Sequence, residues 1–413
     1  MRNNMIIGQS GGPTVAINAS LAGAVKRAMK CKEIGEIYGM LNGLEGLLKE
    51  RIIDLRKNLT SAADFQMLEA TPAMALGSCR LCLPEAPDPI YEKIKDIFTR
   101  YGIKYFFYIG GNDSMDTVKK LSDYFTGIGE DIRCVGIPKT IDNDLPCTDH
   151  TPGFGSAAKY IATSVAEIAC DSEVYDLSSV TVVEIMGRNA GWLTAASVLA
   201  RREGCTAPHI ICLPEVPFNE EHFLRRVSEL SGQVRNIIIA VSEGICFADG
   251  SYVASASSGK VDSFGHTALA GVGKYLEELI HCRLGCKVRT VELNVLQRSA
   301  SHLYSGVDIG EACRIGAEAV SIAIGGGTGV MAVFNRIGNR PYLVTYESAQ
   351  ISEVANIEKK IPQEWINGDG YDVSTDLVEY LQPLVLGEAK EFFCDGIPTY
   401  FSFEKTPVKP LAE

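Results

Sequence analysis

The chain has 413 residues, 46% of them hydrophobic, enough to fill two cores, because a single core usually stops growing below that length. Its formal charge of −12, without any long run of Lys and Arg, excludes nonspecific binding to nucleic acid or to an anionic membrane, since both need a positive field. No apolar run reaches the roughly 18 residues of a membrane span, and the chain opens on a strand pattern rather than a signal peptide, so the expectation is a soluble cytoplasmic protein.

In chain order, residues 5–8, 34–40, 104–109 and 133–137 read as strands, with amphipathic helices over 17–30, 91–100 and 114–125 between them. Near-continuous apolar strands separated by helices predict a mainly parallel sheet covered on both faces. A second set follows the turn-rich stretch 146–155, with strands over 180–185, 209–213 and 236–241 and helices over 153–170, 190–201 and 220–230. The expectation is an α/β protein of two doubly wound αβ domains with an active site in the cleft between them. Residues 251–262, rich in Ser and Gly, read as a surface loop.

After Arg298 come a helix over 309–322, the glycine turn 325–329 and a strand over 330–334. Periodicity allows these to rejoin either domain; our assignment gives 1–150 with 299–345 to the first, and 151–298 with the C-terminal segment 346–413 to the second. No chemistry is legible beyond about Glu347. The thirteen cysteines are scattered through predicted elements, so reduced thiols are the default. Cys79 and Cys82 have CxxC spacing with no second pair to complete a zinc site, and Cys282 and Cys286 are a weaker signal still.

Ligands in such sheets bind beyond the carboxyl ends of strands, and the polar residues of this chain gather there. Ser10-Gly11-Gly12-Pro13-Thr14 follows the first strand, and Gly110-Gly111-Asn112-Asp113-Ser114 joins the strand 104–109 to its helix. One such turn is more often an ordinary βα connection; two at equivalent topology make a two-sided cradle for phosphate. The first lacks the lysine and hydroxyl pair of a Walker A loop, and Gly259-Lys260 is followed by Val261, so no P-loop is expected. Pro138-Lys139-Thr140-Ile141-Asp142-Asn143-Asp144 then places two carboxylates, a hydroxyl and an ammonium in one turn. An Asx turn is the bland meaning of such a run. The lysine favours phosphoryl transfer, with Asp142 or Asp144 within reach of a hydroxyl proton. Met186-Gly187-Arg188 and Glu243 end two further strands, while Arg289 and Arg298 flank another and have the fork geometry that suits phosphate.

Taken together, these motifs resemble the phosphofructokinase family from Met5 to about Phe334. The resemblance implies that Gly11, Gly12, Gly111 and Ser114 bind the phosphoryl donor. It implies that Thr140, Ile141 and Asp142 contact the sugar, with Asp142 as general base on its 1-hydroxyl and Asp144 beside it. Met186, Gly187, Arg188 and Glu243 would hold the sugar, Arg289 and Arg298 its 6-phosphate, and Arg80 the transferring phosphoryl group. ATP-using relatives have glycine where Asp113 and, often, Lys139 stand. A carboxylate at 113 would repel the α-phosphate, and a lysine at 139 would neutralise the transferring and leaving phosphates. The pair resembles the pyrophosphate-dependent branch, which implies a reversible reaction of fructose 6-phosphate and pyrophosphate with Mg²⁺, in a homodimer or larger assembly. Three positions depart from the family pattern: Asn112 stands where an acidic residue commonly helps hold Mg²⁺, Ser179 where an arginine reaches the next subunit, and Val295 where a histidine precedes the last arginine. The alternatives are an ATP-dependent enzyme, a kinase of another sugar phosphate such as sedoheptulose 7-phosphate, and a noncatalytic regulatory subunit; the intact Asp142 and Asp144 weigh against the last.

Overall fold

The computed structural model describes residues 3–174, 176–253, 271–390 and 392–411, so most of the loop expected over 251–262 lies outside the described residues. Eleven strands matter for the site. β1 (Asn4–Gln9), β2 (Ile37–Met40), β3 (Ile52–Asp54), β4 (Ile103–Gly110) and β5 (Arg133–Pro138) come first. β6 (Ser179–Ile185), β7 (Ile210–Cys212), β8 (Asn236–Ser242) and β9 (Val288–Glu292) follow, then β10 (Val330–Asn339) and β11 (Tyr342–Gln350).

They form two sheets, in the orders β11-β10-β5-β4-β1-β2-β3 and β7-β8-β6-β9. The first is parallel except for β3 and β11 at its two edges, and the second is parallel throughout. β1, β4, β5, β6 and β8 are almost wholly buried, as strands covered on both faces must be. One face of the first sheet packs on Ile17, Leu21 and Val25, the other on Ile97, Phe98 and Leu121. The second sheet is likewise covered on both faces, by Phe154, Ile161 and Val165 on one side and Phe223, Val227 and Leu276 on the other.

The helix Gly306–Ile324 belongs to the first sheet because it packs closely along the helix Ile17–Met29. At their crossing a Cβ on Gly316 would fall 2.0 Å from the carbonyl oxygen of Ser20, so only glycine permits this approach. β10 then pairs with β5, and β11 carries the same sheet on to Gln350.

The C-terminal segment departs from the expectation that 346–413 accompanies the second sheet. Leu377, Leu381 and Leu384 do pack on that sheet's core. Phe403, however, is buried in the core of the first sheet, and the amides of Val408 and Leu411 donate to the carbonyls of Ile52 (2.8 Å) and Arg100 (3.1 Å). The tail crosses back because the first sheet leaves an apolar flank uncovered until Phe401 and Phe403 reach it.

Candidate active site

Strand register brings the functional turns to one level. Gly110 lies opposite Pro138 and Gln9 opposite Ile109, while Ile185 lies opposite Ser242. The turns that leave these strand ends line a single cleft of about 680 Å³. Gly11, Gly12, Gly111, Asn112, Asp113, Ser114, Lys139, Thr140, Ile141, Asp142, Asp144, Met186, Arg188, Glu243 and Arg298 all contribute to its wall.

On one side, Gly111 caps the helix Asn112–Gly127, whose first turn carries Asp113. Uncompensated N–H groups and the positive helix end there suit an anion. Lys139 spans the cradle by donating from Nζ to the carbonyl of Gly12 at 2.7 Å. Burial pushes its pKa down to about 8 against the pull of Asp142 and Asp144. The Asn112 side chain donates from Nδ2 to the carbonyl of Ile357 at 3.0 Å, which leaves its buried Oδ1 without a protein partner.

Opposite stands the carboxylate turn. The amide of Asp142 donates to Thr140 Oγ1 at 3.1 Å, and the Thr140 carbonyl accepts from Thr151 Oγ1 at 2.8 Å, so the turn is braced on both flanks. Burial, then Glu243, raises the pKa of Asp142, while Lys139 and Arg298 pull it back. Asp144 is raised by burial and by Asp142 itself, and its Oδ1 is buried with no protein partner. Two adjacent carboxylates whose environments favour the proton are what a base working near neutrality requires.

On the second sheet, Met186 and Gly187 turn sharply after β6. The Met186 amide donates to Gln297 Oε1 at 3.3 Å, and the Gly187 amide to Glu243 Oε1 at 3.4 Å. Gly187 thus supports the wall from behind. Burial raises the Glu243 pKa. Arg298 reaches between the two halves: its Nη1 lies 3.2 Å from where a Cβ on Gly12 would stand, and its pKa is lowered by burial despite Asp142 and Glu243. Arg80, exposed on the coil after Cys79, is near enough to Arg298 for their charges to act on each other.

Of the expected site residues, Arg80, Gly187 and Arg289 are not among those that line this cleft, and Arg289 stands near the other end of its strand. It pairs with Thr181 near the start of β6, and its guanidinium binds Thr181 Oγ1 (3.1 Å), Asp171 (3.0 Å) and Ser172 (2.9 Å). Both its neighbours and its strand position hold it away from the cleft. Conversely, Asn189, Ala190, Asn356 and Glu358 line the cleft without having been expected there. Asn189 and Ala190 follow directly on the expected Met186-Gly187-Arg188 turn, a signal that could have been extended; Asn356 and Glu358 sit in no motif.

Residues 4–323 match the family model described as Phosphofructokinase. The chain is 39% identical to the pyrophosphate--fructose 6-phosphate 1-phosphotransferase of Halomonas elongata, over 99% of this chain and 98% of that protein. It is 41% identical to the protein of the same name from Xanthomonas campestris, over 98% and 97%. Among solved structures, the pyrophosphate-dependent phosphofructokinase of Nitrosospira multiformis superposes with a TM-score of 0.90 at 36% identity, covering 100% of this chain and 99% of that one. With its two sheets, its cleft at their strand ends and this similarity over nearly the full length, the chain belongs to the phosphofructokinase family.

Proposed function

We propose that the protein transfers a phosphoryl group from pyrophosphate to the 1-hydroxyl of fructose 6-phosphate, giving fructose 1,6-bisphosphate and phosphate, reversibly. The observation that carries this reading is Lys139, an ammonium buried between the glycine turn at Gly12 and the carboxylates Asp142 and Asp144, with Asp113 on the facing helix turn. The full-length relatives with pyrophosphate in their names support the same donor.

In this reading Gly11, Gly12, Gly111 and Ser114 cradle pyrophosphate, and Asp113 repels the α-phosphate a nucleotide would bring. Met186, Gly187, Arg188 and Glu243 hold the sugar, and Arg298 takes its phosphate. Asp142 removes the 1-hydroxyl proton as the oxygen attacks phosphorus, while Lys139 and Arg80 stabilise the charge gathering on the transferred group and on the departing phosphate. The buried, unpartnered oxygens of Asn112 and Asp144 are the hard donors that suit a divalent cation, and Mg²⁺ is the ion we assign to them. Such an ion would add neutralising charge at the phosphates.

No helix among the described residues is long and apolar enough to cross a membrane. A cytoplasmic location and a homodimer or larger assembly complete the proposal. The assembly is supported by Val295 and Leu296, 49% and 56% exposed beside the edge strand β9. Initial rates with fructose 6-phosphate and Mg²⁺, pyrophosphate against ATP at equal concentration, test the donor: turnover with ATP alone overturns it. Asp142→Asn is expected to bind fructose 6-phosphate with near-normal affinity while kcat falls by roughly 10²–10⁴. Normal turnover in that variant would sink the mechanism.

A further inference from the structure

Residues 354–361 contain none of the glycine or carboxylate motifs, yet they form a strap across one side of the cleft. The strap is tied to the donor helix by Asn112 Nδ2 donating to the Ile357 carbonyl (3.0 Å) and by Asn356 Nδ2 donating to Asp116 (3.1 Å). It is tied to the sugar side by Asn189 Nδ2 donating to Glu358 Oε1 at 2.7 Å. The next residue turns inward. The Lys359 amide donates to the Asp144 carbonyl at 2.7 Å, and its own carbonyl accepts the indole N–H of Trp192 at 3.0 Å.

The Lys359 ammonium is enclosed by the loop that follows the carboxylate turn. It donates to the carbonyls of Asp149 (2.8 Å) and Thr148 (3.0 Å) and, at 3.4 Å, to Asn143 Oδ1, and it lies 5.4 Å from the centre of the Trp192 ring. Asn143, between the two aspartates, has φ of 54°, a region that side chains rarely adopt unless their surroundings hold them there. Its other amide atom donates to the Tyr380 hydroxyl at 2.9 Å, which in turn donates to the Asp149 carbonyl at 2.7 Å. A left-handed residue and two inward carbonyls therefore converge on one cation.

We infer that Lys359 is a positioning residue for phosphoryl transfer: residues 143–149 wrap around its ammonium, and this fixes the backbone that presents Asp142 and Asp144 to the cleft. The inference rests on the reading of Asp142 as base. Lys359 is not among the residues that line the cleft, so it acts through the loop. Without it, the carbonyls of Thr148 and Asp149 lose a donor each and Asn143 loses the partner of its Oδ1. A shift of about 1 Å at a reacting group costs on the order of 10²-fold in rate, whereas Gly11, Gly12, Gly111, Met186, Arg188 and Glu243, which hold donor and sugar in that reading, follow other strands.

Lys359→Met keeps the length of the side chain and removes its charge and donors. Steady-state kinetics should show kcat lower by roughly 30- to 100-fold, with KM for fructose 6-phosphate and pyrophosphate within about threefold of wild type. Calorimetric affinity for fructose 6-phosphate should be unchanged. A kcat within about threefold of wild type, or a loss carried by KM, overturns the inference. If Lys359→Met yields no folded protein by circular dichroism, Trp192→Phe carries the test, since it removes the indole donor to the strap and shrinks the ring beside the ammonium while keeping an aromatic side chain there: kcat reduced several-fold at constant KM supports the inference, and unchanged kcat overturns it. A wild-type protein inert with every donor overturns both this inference and the activity; an active wild type with an unaffected variant overturns this inference alone.

Discussion

At Lys139 burial does two opposing things. It strengthens the attraction between the ammonium and a bound phosphate, because little water remains to screen it, and it makes the ammonium easier to deprotonate. With the pKa pushed down to about 8, the charge is held below that pH and lost above it. The free enzyme should therefore show kcat/KM for pyrophosphate falling tenfold per pH unit once pH passes about 8, a limb that reports the unliganded site. Lys139→Arg should lower activity, since a planar fork replaces a point charge, but should leave the remaining activity without that alkaline limb. A pH–rate profile from 6.5 to 9.5 on both proteins decides it, and a limb that survives in Lys139→Arg assigns the titration to another group.

At the level of elements, the two helices Ile17–Met29 and Gly306–Ile324 carry the return of the chain to its first sheet, and their closeness depends on Gly316. Gly316→Ala would drive a methyl into the Ser20 carbonyl, so the helices must part or tilt; a loss of about 1–3 kcal/mol is expected, read as a lower midpoint in urea. An unchanged midpoint would mean that the pair is looser than its geometry. The strands that end at the cleft were legible because each is an apolar run closed by glycine or charge, a pattern local to a few residues. Arg289 was misplaced because sequence shows that it flanks a strand without showing the register: level with Thr181, four residues before Ile185, it stands roughly 13 Å from the strand end that faces the cleft. Asn356, Glu358 and Lys359 were invisible for a related reason. Their meaning arises from contacts with Asp116, Asn189 and Asp144, more than 160 residues away, and nothing in their own neighbourhood repeats or alternates.

Across the whole molecule, a buried charged cluster joins the carboxylate loop to the C-terminal elements. His150 binds Asp149 through Nδ1 and Glu311 through Nε2, both at 2.8 Å, and its ring stacks on Phe334 at 4.4 Å. Glu311 also accepts from the Tyr342 hydroxyl at 2.8 Å, and Arg336 donates to Asp149 at 2.9 Å while lying over the Tyr380 ring. One cluster thus holds the loop, the helix Gly306–Ile324 and the β10–β11 pair. Burial alone would lower the His150 pKa, but the hydrogen bonds to Asp149 and Glu311 outweigh it and raise the value above the ordinary one, while Asp149 is lowered to match. A histidine whose folded value is raised stabilises the fold most below its unfolded pKa of about 6.5, and that contribution declines as pH rises through the folded value. His150→Gln keeps polar atoms but cannot titrate. The stability difference between wild type and this variant should therefore be largest near pH 6 and shrink as pH rises, in denaturation midpoints measured at constant ionic strength. A difference that stays level over that range would mean that the folded cluster binds no more protons than the unfolded histidine does, and would overturn the raised value.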